Sequence, residues 1–178
     1  MKRKYSSWPV AIVAGIALGI VALAADAEPA SDLSGFVGRW QIDPERTKMG
    51  RTGPGGKDIL RSNTFTFVFT PEAPGLKMEV YAEYPQPAAT RTMNLIADGK
   101  TRVCPSKTPC MTAGGSPNEQ TYAWYRMDSH MLARLFWVKG AMYDYSSLSV
   151  SSDNKTLTLI SWAPETPYYQ NIQVFNKQ

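Results

Sequence analysis

The side chains able to do chemistry are few and widely spaced. His130 is the sole histidine, so an imidazole-based metal centre has almost nothing to build on. Asp128 and His130 could form an acid–base dyad, yet no nucleophile signature accompanies them, and a lone His at a hairpin tip reads as a solvated turn residue. Glu79 and Glu83 share one face of an expected strand. Four residues at strand rise put them about 13 Å apart, beyond the roughly 5–9.5 Å that separates the paired carboxylates of glycosidases. The run GPGGK, Gly53 to Lys57, suggests a phosphate loop but departs from it. Asp58 stands where Ser or Thr is needed, Arg51 takes the place of the first Gly, and a strand pattern follows where a helix should begin. The residues therefore point to a non-catalytic protein without metal or cofactor. A hydrolase would need carboxylates brought together across a polar cavity.

Cys104 and Cys110 lie in VCPSKTPCM. Their spacing is not the C-x-x-C of redox enzymes. In an exported chain two near cysteines pair, and so short a loop would add on the order of 2–3 kcal/mol by chain entropy.

Export is what the N-terminus suggests. Lys2, Arg3 and Lys4 precede an uncharged run from Val10 to Ala25, followed by small-residue cleavage sites ending at Ala24 or Ala27. Residues 1–27 thus read as a secretory signal peptide or an uncleaved membrane anchor. As a helix the run spans about 24 Å, short of the roughly 30 Å hydrocarbon core. Either reading sends the rest of the chain across the membrane: periplasmic or extracellular, or tethered to the inner membrane. The formal charge of +4 is partly this segment's, since it holds three basic residues and one acid. The remainder has too little net charge for a nucleic-acid footprint.

The elements that must position any site are strands. After a linker at 28–34, short runs alternate at period 2 between Gly, Pro, Asn and Asp. The expected strands are 38–43, 63–70, 76–84, 90–97, 120–128, 131–139, 142–151, 155–163 and 168–176. Asp98-Gly99 signals a hairpin after the fourth, and residues 44–58 read as a loop. In 63–70, Phe65, Phe67 and Phe69 form one face. Short turns between so many strands imply an antiparallel meander that packs as a sandwich or closes into a barrel.

The motifs also resemble those of a known family. GRWQIDPERTKMG is similar to an opening G-x-W-x-(L/I)-(N/D)-P-x-x-(S/T)-K. IADGKTRVCP, GGSPNEQTYAWYRMDSHMLARLFWVKG, SVSSDNKTLTLISW and VFNKQ resemble that family's later turns and its close. This is an uncharacterised lipocalin-like family of exported bacterial proteins, and the similarity covers most of residues 35–178. The resemblance implies an up-and-down lipocalin-like barrel of about eight or nine strands over 35–178. It implies structural roles for Gly38 and Trp40, the Trp packing across a closed barrel end, and no catalytic residues. The chain departs from the pattern in its cysteine loop and in Asn154, which stands where Gly is usual.

Aromatic side chains leave the function open. Phe65, Phe67, Phe69, Trp124, Trp137, Tyr143 and Tyr145 could fill a core, line a pocket for a small hydrophobic molecule, or anchor a partner protein from outside. The first function to follow is binding of such a molecule. The second is an accessory subunit of a membrane complex, held through residues 8–27 and the barrel aromatics.

Overall fold

The computed structural model describes residues 32–50, 64–84, 89–105, 110, 116–165 and 170–178. The export segment 1–27, the GPGGK run and Tyr168–Tyr169 lie outside them. The described chain is all-β. In order come β1 Gly38–Ile42, β2 Lys48–Met49, β3 Thr66–Glu72, β4 Gly75–Tyr81, β5 Arg91–Leu95 and β6 Arg102–Val103, then β7 Gln120–Arg126, β8 Met131–Val138, β9 Ala141–Val150, β10 Thr156–Trp162 and β11 Asn171–Lys177. Nine of these are the expected strands. The additions, β2 and β6, are two residues each, too short to leave a period-2 signal. β2 falls in the segment expected to be loop. It is drawn onto β11 by pairing of Lys48 with Ile172 and by Thr47 Oγ1, which accepts the Val174 N–H.

The strands form one antiparallel sheet, ordered β5-β4-β3-β1-β11-β10-β9-β8-β7-β6, with β2 also on β11. Sequence neighbours pair along both arms, and β1 joins the arms by pairing with both β3 and β11. The sheet curls into a half-barrel. Among the described residues no ladder joins its two edge strands, so the full closure expected from the motifs is replaced by a seam between β5 and β6. The hairpin expected at Asp98-Gly99 is corrected here. The turn forms, with Gly99 at φ +73°, but the chain beyond it pairs with β7 and not with β5: Asp98 bridges Tyr125, and Arg102 lies opposite Tyr122. Arg102 grips the Asp98 carboxylate with both terminal nitrogens at 2.8 Å, which fixes this course.

One apolar core fills the curl. Alternation decides who enters it: on β4, Leu76, Met78 and Val80 are buried while Lys77, Glu79 and Tyr81 are only partly so. Phe65, Phe67 and Phe69 line the inner wall edge to face, and the Phe67 ring stacks on that of Phe175 with centroids 4.4 Å apart. A 3-10 turn, Ser34–Phe36, brings Phe36 into the core, and Leu33 just before it is also buried. Packing therefore begins inside the segment read as linker. Trp40 is fully buried and donates from Nε1 to Phe36 O at 2.7 Å. Gly38 has φ +130°, and a Cβ there would lie 3.0 Å from Lys177 Cε, so a side chain meets both strain and contact.

Turn carboxylates hold the outside. Asp43 accepts the Arg46 guanidinium, Asp98 that of Arg102, and Asp153 the Ser151 hydroxyl. Those bonds hold all three carboxyls below their usual range. A depressed folded-state value stabilises the fold above the ordinary carboxylate range and is lost as pH falls through it. The melting temperature is therefore expected to drop in thermal melts below about pH 4 and to change little between neutrality and that point.

Candidate functional site

Directly opposed residues in neighbouring strands share a face, and this builds the site row by row. One inward row runs Trp40, Phe67, Val80, Arg91 across β1, β3, β4 and β5. Another runs Trp124, Arg134, Ser146, Ser161 across β7 to β10. Where the two walls face each other they enclose a cavity of about 80 Å³. Its lining includes Phe65, Phe67, Met78, Val80, Met93, Leu148 and Leu159, with Arg91, Arg134, Trp124, Ser161 and Gln173 as polar groups. That volume is near half of the roughly 150 Å³ of a cavity that holds benzene, so it suits a small molecule or one end of a larger one.

The seam side is closed by side chains. Tyr122 on β7 accepts the Asn94 N–H of β5 at 3.2 Å, and burial raises this phenol's pKa. Cys104 and Cys110 stand bonded, with Cα atoms 5.7 Å apart. Cys110 is buried, lines the cavity, and packs its Sγ 3.9 Å from Thr92 O. The bonded Cys110 thus stands beside β5, on the seam side of the cavity. Replacing both cysteines by Ser is expected to cost about 2 kcal/mol in urea unfolding, the entropy of so short a loop.

The electrostatics of the cavity are uneven. Arg134 Nη2 donates to Asp144 Oδ2 at 2.6 Å, both side chains nearly solvent-free. The Arg134 guanidinium also lies 5.6 Å from the Trp124 ring and 5.8 Å from that of Phe136. Arg91 has no such carboxylate among the described residues. Its Nε is sealed from solvent without a hydrogen-bond partner, and its guanidinium lies 5.9 Å from the Phe65 ring. Burial first, then the Arg134 charge, pulls its pKa down to about 10, so it stays cationic at neutrality. Trp124 Nε1 is likewise buried without an acceptor. Around the cavity two guanidinium cations thus stand against the one carboxylate of Asp144, and Arg91 Nε, Trp124 Nε1 and Ser146 Oγ are sealed without a hydrogen-bond partner.

Of the aromatic residues singled out from the sequence, Phe65, Phe67 and Trp124 meet at the cavity. Phe69 is buried in the same wall, edge-on to Phe67 at 6.3 Å, without reaching the cavity. Trp137 opposes outward-facing Thr121. Tyr145 lies in an outer row with Leu135 and Trp162, its ring 4.4 Å from Trp162. Tyr143, next to the bulge at Phe136/Trp137, is 44% exposed. The polar groups Arg91, Arg134 and Asp144 were missed from the sequence, although each stands in phase with buried apolar residues of its own strand. At the β7–β8 tip, Ser129 Oγ is 2.8 Å from His130 Nδ1, but Asp128 accepts the His130 backbone N–H and does not orient the ring. This is turn geometry on an exposed tip. The arrangement as a whole can bind and orient, and among the described lining residues there is no His, Asp or Glu. Compared with known proteins, the chain is matched by no family model and by no curated sequence.

Proposed function

We propose that the chain is a non-catalytic, exported protein of the lipocalin-like type that binds a small hydrophobic molecule inside its half-barrel. The observation that carries this reading is the cavity itself, walled by apolar side chains from strands far apart in sequence, with the bonded Cys110 in its lining. A bonded cysteine pair supports an oxidising compartment, in keeping with the N-terminal export pattern. Calorimetric titration of the full chain with 1-butanol tests the reading. Saturable binding that weakens when Leu159→Trp fills the cavity is expected; an absence of saturable binding to any small apolar probe would remove it.

The second reading, an accessory subunit of a membrane complex, draws on the outer face. Trp137, Leu135, Tyr145 and Trp162, all half-buried, form an apolar patch on the outer face of β8–β10, the composition of an interface. Native mass spectrometry from membranes in mild detergent separates the two. A free chain supports the carrier, and a full-length chain inside a larger assembly supports the subunit.

A further inference from the structure

We infer that the occupant of the cavity carries a carboxylate, held jointly by the Arg91 guanidinium and the Trp124 indole N–H. This rests on the small-molecule reading above and names the chemical class that fits it.

Arg and Trp side chains are donors only and have no accepting atom. Both Arg91 Nε and Trp124 Nε1 are buried without acceptors, and both residues line the same cavity. A buried donor left unmade is costly, and the half-buried Arg91 cation has no carboxylate paired with it among the described residues, which adds to that cost. Two such groups converging on one cavity are accounted for together by one missing acceptor bearing negative charge. A neutral carbonyl or hydroxyl would satisfy a hydrogen bond but leave the cation uncompensated. The Arg134–Asp144 pair does not meet the need, because Asp144 is engaged by Arg134 and Arg91 still faces the Arg134 charge. The planar guanidinium matches a carboxylate in a forked geometry. The neighbouring wall of Phe65, Phe67, Met93 and Leu148 is apolar, which suits a hydrocarbon body behind the carboxylate. The cavity of about 80 Å³ limits the enclosed part to a short acid or the head of a longer one.

The test compares butanoate, 1-butanol and acetate by calorimetry on the full chain, with the Trp124 indole N–H resonance as a second readout. Butanoate is expected to bind at least about tenfold tighter than 1-butanol and to move that resonance downfield. Arg91→Met is expected to weaken butanoate by about a hundredfold, far more than it weakens 1-butanol, and to raise the melting temperature, since a charge without a counter-ion is gone. Arg91→Lys, which keeps charge without the fork, is expected to fall between. Equal binding of butanoate and 1-butanol, insensitive to Arg91→Met, would overturn the carboxylate while leaving the hydrophobic carrier intact. Acetate binding as tightly as butanoate, and lost in Arg91→Met, would keep the carboxylate site and overturn the hydrophobic body. Binding of none of the three would overturn both.

Discussion

Asp144→Ala is expected to destabilise the protein by about 3–5 kcal/mol, as breaking one side of a buried ion pair does. Asp144 takes a hydrogen bond of 2.6 Å from Arg134, and the two side chains are only 9% and 7% exposed. Without the carboxylate, the guanidinium keeps its charge in a wall of Trp124 and Phe136 rings, and Arg91 adds a second cation nearby. Ring faces attract a cation, but each such contact is worth about 0.5–2 kcal/mol and cannot replace the anion. Removing both charges should recover most of the loss. The double substitution Arg134→Met with Asp144→Leu is expected near the parent stability, because well-packed apolar replacements of buried pairs are neutral or stabilising. Chemical denaturation followed by circular dichroism measures both. A loss below about 1 kcal/mol for Asp144→Ala, the range of exposed pairs, would show that water reaches this wall.

Trp40→Ala is expected to cost a similar amount, about 3–5 kcal/mol, for a different reason. Here the loss is volume. Trp40 is completely buried, its indole N–H is spent on Phe36 O at 2.7 Å, and Lys177 Nζ sits 5.0 Å over its ring. It lies on β1, the strand that joins the two arms of the sheet, so a cavity there loosens both. Trp40→Phe keeps an aromatic ring and gives up the hydrogen bond, leaving Phe36 O short of a donor, and should cost about 1–3 kcal/mol. Thermal and urea unfolding of the pair of variants separates filling from bonding. Equal losses for Phe and Ala would mean that the hydrogen bond, and not the packing, dominates. Trp40 itself does not line the cavity, so probe binding at temperatures where the variants remain folded should change far less than stability.

Strand positions were legible because period-2 alternation is written in residue types. Lys77, Glu79 and Tyr81 alternate with Leu76, Met78 and Val80, and the burial follows them. The same rule contained the site in a form easily passed over. Arg91 alternates in step with Met93 and Leu95, Arg134 with Leu132 and Phe136, and Asp144 with Leu148 and Val150. Each charge therefore stands at an inward position, while Trp137 and Tyr145 are out of step with Phe136 and Asp144 and face outward. Reading aromatics by type alone mixes the two faces; reading them by phase separates them. The seam was not legible. Which strand flanks β5 depends on where the chain goes after Gly99, and that is decided by the Arg102–Asp98 grip and the bridge of Asp98 to Tyr125. Such lateral choices between edges leave no periodic trace. Nor does the enclosed volume, which depends on how large side chains from distant strands meet.

The joining of the arms through β1 has a consequence for biogenesis. Asp43 accepts a bond from Asn176, 133 residues further along, and Gln178 N donates to Arg39 O. The first strand to emerge during synthesis thus waits for the last before its second edge is covered. Contacts of such long range slow folding. In the meantime β1 presents an unpaired edge that could recruit a strand from another nascent chain. Until β11 has been made, the sheet cannot be completed across β1.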